Sequence, residues 1–297
     1  MATPELIVEP GLAQADGLPP RRLVWIVQRN PGGVLGAALV AFSALVATVG
    51  PLAWRISPTS QDYDRLLGPS LAHPFGTDDL GRDTLARVMH GAQVSLEVGI
   101  VAVLVSLALG TLIGTLAGYY GSYTDGVLMR IVDIMFAFPA LVLAILIAGL
   151  LGPSRTNATF TIGLVFAPAF ARVARASTLS VMANPYVEAS RALGAPSRWI
   201  ILRDVLPNIT APMIVMTTVY ISSAIIIEAA LSFLGLGTQP PDPSWGSMLS
   251  TSRQFLRTAW WYGVFPGLAL SVLLVGLNFV GEAVRDALDP RQINLGR

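Results

Sequence analysis

Val98-Gly-Ile-Val-Ala-Val-Leu-Val-Ser-Leu-Ala-Leu-Gly-Thr-Leu-Ile-Gly-Thr-Leu-Ala-Gly-Tyr-Tyr-Gly-Ser-Tyr-Thr124 is a run of 27 residues without a charged side chain. A helix of about 20 apolar residues crosses the roughly 30 Å hydrocarbon core of a membrane. A charged side chain at the bilayer centre costs about 2.5–3.5 kcal/mol on insertion scales, so the absence of charge is itself informative. The run therefore predicts a membrane-spanning helix.

Six charge-free runs of this kind predict an all-α polytopic membrane protein with six spans. They cover 30–54, 98–124, 134–154, 156–171, 205–227 and 258–281. The fourth run is short, and we place its helix near 158–176, with Arg172 and Arg175 at the membrane interface. A further run at 229–241 is too short and too rich in glycine and proline to cross.

The composition of the whole chain supports the same class of protein. Of 297 residues, 53% are hydrophobic and 12% are charged, whereas about a quarter of a typical globular domain is charged. The net charge of +1 gives no basic footprint for nucleic acid. Cysteine is absent, and all 19 basic residues are arginine. Because a Walker A motif needs a lysine, any ATP hydrolysis would have to occur in another polypeptide. We expect no cofactor, metal site or catalysis in this chain.

The distribution of arginine predicts which side of the membrane each loop occupies. With six spans both termini lie on one side, where 12 of the 19 arginines fall, and seven fall on the other side. Positive charge favours the cytoplasmic side, so both termini are predicted to be cytoplasmic. The predicted divisions are a cytoplasmic tail at 1–31, a first span at 32–54, an extracytoplasmic segment with an amphipathic helix at 55–91, a core with the other five spans at 92–290, and a C-terminal tail at 291–297.

The cytoplasmic loop at 184–207 reads as two short helices. Asn184 is the predicted N-cap of the first helix, and Gly194 is its predicted stop. Ser197 is predicted to cap the second helix, which Pro207 ends. A loop that only joined two spans would not need two capped helices. Apolar side chains predicted on their surfaces suit a groove in a partner protein, and these are Tyr186, Val187, Leu193 and Trp199.

This loop closely resembles the "EAA" loop of ABC-importer permeases. The matching residues are Glu188-Ala189-Ser190, then Gly194 after three residues, and Leu206-Pro207 after eleven more. The family usually has alanine at the position of Ser190 and isoleucine at the position of Asp204. In that family the loop docks as a coupling helix into a groove on the ATPase subunit. The resemblance gives this coupling role to Tyr186, Val187, Glu188, Ala189, Ser190, Leu193, Gly194, Leu206 and Pro207.

Four other segments resemble the C-type subunit of the oligopeptide, dipeptide and nickel permeases. They are 76–87, 129–139, 228–237 and 241–249. The resemblance, which runs from about 73 to 290, implies the type I ABC-importer permease fold in a bacterial plasma membrane. It also implies a second, different permease, two ATP-binding subunits, an extracytoplasmic solute-binding protein and short peptides as substrates. Nickel and haem remain alternative substrates.

Glu228, near the outer end of the fifth span, is the leading candidate for a residue of the transport pathway. An ionisable side chain in a span must face protein or water, so Glu228 either contacts a passing substrate or is a structural carboxylate satisfied by its neighbours. Ser222, Ser223 and Asn278 could also line a pathway, although small polar side chains more often join helices. The alternative function is a secondary transporter or channel in which Glu228 binds a proton or a cation.

The segment at 234–257 is predicted to be an extracytoplasmic element lying on the membrane surface. The family resemblance gives it contact with the binding protein or a role in gating the outer mouth, with four candidate residues, Trp245, Met248, Arg253 and Arg257. Trp260, Trp261 and Tyr262 are predicted to form an aromatic belt that opens the sixth span.

Small residues and charges near the second and third spans give two further predictions. Gly110, Gly114 and Gly118 let another helix approach closely, either from this chain or from the partner permease. Asp133 is expected to pair with Arg130 at the cytoplasmic interface.

The acidic residues before the second span are interpreted as helix residues and not as a metal site. Asp78, Asp79 and Asp83 lack the spacing of a calcium loop. We expect them in the first turn of an amphipathic helix that follows Thr77, where the helix dipole favours negative charge.

Overall fold

The structure, a computed structural model, describes residues 31–288, and the predicted tails at 1–31 and 291–297 lie outside this range except for Pro31. Every regular element within the described residues is helical. The main helices are α1 (Pro31–Thr48), α2 (Thr84–Tyr120), α3 (Ser122–Phe136), α4 (Ala140–Leu151), α5 (Arg155–Met182), α6 (Pro185–Ala192), α7 (Ser197–Phe233), α8 (Trp245–Ser252) and α9 (Trp261–Leu288). The prediction of an all-α polytopic protein is confirmed.

Five helices, α1, α2, α5, α7 and α9, are long and apolar enough to cross a membrane. The prediction of a single third helix over 134–154 is wrong. Its residues fall in α3 and α4, which meet at a bend of 95°, because Pro139 lies between them and has no backbone N–H to continue a helix. With 12 residues, α4 is only about 18 Å long, so a sixth span requires α3 and α4 together.

The predicted amphipathic outer helix and the second span are one helix, α2, of 37 residues. Asp83 precedes its first residue, and the Asp83 side chain accepts a hydrogen bond from the backbone N–H of Ala86 at 2.8 Å. The expectation that Asp78 and Asp79 lie in the first helical turn is therefore wrong. Both precede the N-cap, in a tight turn that has its own hydrogen bonds.

The packing of α2 against α5 holds the main apolar core together, and α7 closes it. Gly110, Gly114 and Gly118 face α5, and a Cβ atom at Gly114 would overlap the carbonyl oxygen of Ala171. The three glycines therefore serve close packing within this chain, which decides between the two partners that the sequence allowed. The contacts pair rising residue numbers on both helices, so α2 and α5 run in the same direction.

Two ion pairs fasten α3 to α5. Arg172 Nη2 lies 2.7 Å from Asp133 Oδ1, and Arg175 pairs with Asp125. The expected pair of Asp133 with Arg130 is wrong, because the bend after α3 lays this helix against α5 and brings a nearer guanidinium to the carboxylate. Helix α5 also extends well beyond 158–176 at both ends.

Helix α7 runs without a break from Ser197 to Phe233. Pro207 does not end a separate short helix, contrary to prediction. The residues Ile200–Val205 form a π-helical segment and Leu206–Ile209 form a 3₁₀ turn. Because the hydrogen-bond register changes here, the missing N–H of Pro207 does not interrupt the helix.

Candidate functional site

The helix α6 ends where the sequence placed its stop. Gly194 has φ +82°, in the left-handed region that suits glycine. Its N–H donates to Arg191 O at 2.9 Å, and the N–H of Ala195 donates to Ser190 O at 3.1 Å. These two bonds form a Schellman motif, which satisfies the last carbonyl groups of the helix. The turn after α6 is therefore locally determined and rigid.

Neither of the two predicted N-cap residues of the 184–207 loop makes a side-chain hydrogen bond that caps its helix. Asn184 has the extended backbone of an N-cap, but its side-chain amide donates backwards to the carbonyls of Ser180 and Val181, each at 3.0 Å. It therefore closes the end of α5. Ser197 is the first residue of α7, after Pro196, and makes no capping bond.

The apolar residues of the loop divide into an anchor and a surface. Val187 is 0% exposed and packs with the buried residues Ile200 and Val205, so the prediction that it lies on the surface is wrong. Tyr186 is exposed, and Leu193 is 88% exposed. The remaining candidate residues are at least partly exposed, and these are Glu188, Ala189, Ser190, Gly194, Leu206 and Pro207. The anchor fixes a short helix whose outward face has no covering element within the described residues.

Aromatic and acidic side chains stiffen the base of this loop. The guanidinium of Arg203 lies 5.8 Å from the ring centre of Trp199, within the range of a cation–π contact. Asp204, which replaces the usual isoleucine, is buried, and its Oδ2 atom has no hydrogen-bond partner within residues 31–288. Burial and the negative charge of Asp204 raise the pKa of Tyr186 above its ordinary value of 10.0.

An apolar cavity of about 570 Å³ lies beside the loop, between α2 and α7. Its walls carry almost no polar surface, so it suits an apolar group and not a charged one. Six of its lining residues are Leu107, Leu112, Leu116, Leu206, Met213 and Ile214.

Glu228 lies in α7 and is 1% exposed. Its Oε1 atom accepts a hydrogen bond from Ser232 at 2.7 Å, and its Oε2 atom lies 3.4 Å from the hydroxyl of Ser95 on α2. Ser232 in turn accepts from the N–H of Thr238 at 3.1 Å. The carboxylate therefore joins two helices and the chain that leaves α7.

The other pathway candidates are not gathered around Glu228. Ser222 is buried, Ser223 is partly buried and Asn278 is exposed. No hydrogen bond between described residues connects any of them to the carboxylate. The structure thus brings Glu228 together with Ser95 and Ser232 instead, which the sequence reasoning missed because these contacts depend on how α2 packs on α7.

The element after α7 faces inwards. Trp245 and Met248 are buried, and the indole N–H of Trp245 donates to Val88 O at 3.0 Å, so the prediction that Trp245 is presented on a surface is wrong. A capping box between Ser244 and Ser247 starts α8, which packs mainly on α7 and α9. Arg253 and Arg257 remain exposed.

A cluster of buried ionisable side chains lies at the start of α2, and we call it the charge cluster (His73, Asp78, Arg82, Asp83 and Arg87). Asp78 Oδ2 lies 2.6 Å from Arg82 Nε and 3.3 Å from Arg87 Nε. Asp83 Oδ2 lies 2.7 Å from His73 Nδ1. The spacing of Asp78 and Arg82 is the one signal in the sequence that could have indicated this cluster.

The start of α9 is tied to the same region. The hydroxyl of Tyr262 donates to Asp79 Oδ1 at 3.0 Å, and the indole N–H of Trp261 lies 3.3 Å from Thr77 O. Both aromatic side chains are buried, and Trp260 is exposed. The predicted aromatic belt is therefore wrong for two of its three residues. Because α5 ends at the 184–207 loop and begins near Glu97, that loop and the charge cluster lie at opposite ends of the helices, called below the loop end and the far end.

Comparison with known proteins identifies this architecture. Residues 110–294 match the family described as "Binding-protein-dependent transport system inner membrane component". The dipeptide transport system permease protein DppC of Alkalihalophilus pseudofirmus is 42% identical over 89% of this chain and 88% of its own length. The chain belongs to this permease family. It is a multi-pass membrane subunit of an ABC importer, and the alternative of a self-sufficient channel or secondary transporter is set aside.

Further comparisons give two more sequence relatives of this permease and a solved structure of the same fold. The di/tripeptide transport system permease protein DppC of Pseudomonas aeruginosa is 42% identical over 89% of this chain and 88% of its own. A glutathione transport system permease protein, GsiD, of Escherichia coli is 45% identical over 77% and 76%. An inward-facing structure of the MetNI methionine ABC transporter has a TM-score of 0.54 at 19% identity, and it covers 68% of this permease and 96% of that chain. The type I importer fold is thereby confirmed.

Proposed function

We propose that this permease forms half of the translocation pathway of an importer for dipeptides and oligopeptides. The relatives support the substrate class, because their names specify dipeptides, di- and tripeptides, and glutathione. The assembly would contain a second, different permease, two ATP-binding subunits that hold ATP and Mg²⁺, and an extracytoplasmic solute-binding protein. With the six spans predicted from the sequence, 12 of the 19 arginines would lie on the side of the 184–207 loop, so this loop and both termini would be cytoplasmic.

The geometry of the 184–207 loop is the observation that carries this proposal. Leu193 and Tyr186 are both exposed on this capped loop, so a partner that covered them would gain free energy by removing apolar surface from water. Val187 fixes the base of the loop in the core, so a force applied to the exposed face moves the loop as one body. An amphipathic helix that inserts into a groove is a common mode of protein recognition.

The two arginines of the outer element, Arg253 and Arg257, remain the candidates for contact with the binding protein, because both are exposed at the far end. Trp245 and Met248 would support that surface from below, since both are buried. For Glu228 we propose the structural role, because the hydroxyl groups of Ser232 and Ser95 already satisfy its carboxylate.

Gly194 provides the test of the coupling role. A side chain at this position meets no atom within 4 Å, so the effect of a substitution comes from the positive φ alone. Gly194→Val should cost roughly 1–2 kcal/mol locally and distort the turn, whereas Gly194→Asn tolerates the left-handed region. We expect the valine variant to lose most ATP-driven uptake of a labelled dipeptide in proteoliposomes, and the asparagine variant to keep most of it.

Both variants should insert and purify like the unmodified chain. Equal uptake by the valine and asparagine variants would contradict the coupling role of the loop. Failure of the unmodified complex to take up any di- or tripeptide, with uptake of Ni²⁺ or haem instead, would contradict the proposed substrate class.

A further inference from the structure

A pocket of about 300 Å³ opens at the far end, between α2 and α5. Its volume is at the lower end of the ~300–1,000 Å³ range of small-molecule sites. Its lining residues are Glu97, Val101, Arg155, Thr156, Thr159 and Phe160. One side chain of each charge is thus present, together with hydroxyl groups and an apolar rim.

The two charges of the pocket form an ion pair that remains open to the outside. Arg155 Nη2 donates to Glu97 Oε2, and the two side chains are 32% and 62% exposed. Exposed pairs of this kind contribute little to folding. The pair is also not needed to fasten α2 to α5, because Gly110 and Gly114 already hold these helices in close contact and Ser106 donates to Gly163 O across the same interface.

The surroundings of Arg155 favour a carboxylate. Arg155 is the first residue of α5, and Ser154 before it makes no capping hydrogen bond with its side chain. The positive pole of a 28-residue helix therefore reinforces the guanidinium. Thr156 is exposed beside it and can supply a hydroxyl donor.

The opposite wall of the pocket favours an ammonium group and an apolar side chain. Glu97 supplies an accessible carboxylate on α2. Phe160 and Val101 expose about half of their surfaces at the rim. The site thus offers an anion, a cation and an apolar surface within one small pocket.

We propose that this pocket binds the zwitterionic form of a short peptide, with the peptide ammonium on Glu97 and its terminal carboxylate on Arg155. Binding exchanges the internal ion pair for two charge-assisted hydrogen bonds to the peptide. The site lies at the end of α5 remote from the 184–207 loop, on the side where a binding protein would release its substrate. The inference rests on the proposed function, and it identifies the first site at which the peptide would bind this subunit.

The absence of cysteine from the chain makes the pocket directly testable. We would introduce Thr156→Cys and measure its rate of alkylation in the full complex, reconstituted with its binding protein and with or without alanyl-alanine. Thr258→Cys is the matched control, because Thr258 is also an exposed threonine at the far end but lies outside the pocket. We expect the dipeptide to slow alkylation at position 156 about tenfold and to leave position 258 unchanged.

Charge substitutions distinguish recognition of the zwitterion from simple blockage. Arg155→Gln and Glu97→Gln should each raise the dipeptide concentration needed for half-protection about tenfold, because each removes one charge-assisted bond. Their thermal unfolding should match that of the unmodified chain. Unchanged protection in both variants would overturn the proposed recognition.

Two further measurements distinguish peptide binding from lipid binding and from a loss of transport. A phospholipid with a zwitterionic headgroup offers similar chemistry, so vesicles of phosphatidylethanolamine and of phosphatidylglycerol are compared without peptide. If phosphatidylethanolamine slows alkylation at position 156 without peptide and phosphatidylglycerol does not, the pocket binds lipid and the proposal is overturned. Dipeptide uptake is measured in the same vesicles: uptake without protection contradicts only this site, whereas absence of uptake contradicts the proposed function as well.

Discussion

The two ends of this permease are built on different physical principles. At the far end, charged side chains are buried beside opposite charges, as Asp78 is beside Arg82 and Arg87. At the loop end, one buried apolar side chain, Val187, fixes a short helix, and Leu193 is left exposed. The far end holds its shape through its own polar contacts.

From this difference we propose that a partner covers the exposed face of the loop end. A buried network of paired charges ties its region together without a second protein. An exposed apolar side chain on a rigid turn gains free energy only when a partner removes it from water. We therefore propose that the charge cluster is a fixed frame within the far end and that the loop end is the surface that receives the ATP-binding subunit.

The largest expected effect is the loss of charge at the centre of the far end. Asp78→Asn keeps the shape of the side chain but removes the carboxylate that pairs with both Arg82 and Arg87 and leaves Arg82 only the longer contact with Asp79 at 3.8 Å, which should cost about 3–5 kcal/mol. We would measure thermal unfolding in detergent. Asp133→Asn is the control, because its ion pair with Arg172 is half exposed and should change stability by about 1 kcal/mol or less. Equal melting temperatures for the Asp78→Asn and Asp133→Asn variants would contradict the difference between the two ends.

A smaller effect is expected where α2 connects the two ends. Gly114→Ala places a Cβ atom against Ala171 O, which belongs to backbone and cannot move aside easily. The resulting overpacking should cost about 1–3 kcal/mol of unfolding free energy. Gly149→Ala in α4 meets no atom within 4 Å and should instead stabilise by about 0.5–1 kcal/mol. Changes of opposite sign in the unfolding free energy of the two variants, measured with denaturant, would confirm that direct backbone contact sets the distance between α2 and α5.

The smallest effect on stability is expected at the exposed leucines, where the two ends should differ in binding. Leu193→Ala and Leu71→Ala, the latter at a fully exposed site of the far end, should each change unfolding free energy by about 0.5 kcal/mol or less. Only Leu193→Ala should weaken binding of the ATP-binding subunits to the detergent-solubilised permeases, by roughly tenfold. Equal affinities would contradict the receiving role of the loop end.

The spans were predictable from the sequence because a charge in a bilayer is costly wherever the helix packs. Five of the six charge-free runs coincide with long helices. The remaining run, 134–154, is interrupted at Pro139, because the absence of charge predicts the length of an apolar segment but not a bend within it. The stop at Gly194 was predictable for a similar reason, since its positive φ is a local requirement.

The orientation of short elements was not predictable in the same way. Val187 and Trp245 belong to short elements outside the predicted spans, where we expected them on the surface. Both are buried. Which face of a short helix turns inwards depends on its neighbours, and these come from distant parts of the chain. The contact that ties α9 to this region was missed for the same reason, because Tyr262 reaches Asp79 across more than 180 residues.

The continuity of α7 has a mechanical consequence. Trp199 and Glu228 are 29 residues apart on one unbroken helix, which is roughly 40 Å at about 1.5 Å per residue. A tilt imposed on Trp199 is therefore carried along a single rod to the hydroxyl groups that hold Glu228. On the way, the hydrogen-bond register changes at 200–209, and a change of this kind within a helix often marks a hinge. If that stretch were stiffer, the whole tilt imposed on Trp199 would reach Glu228. If it were looser, the helix would bend there and the tilt would not reach the outer half of the bundle.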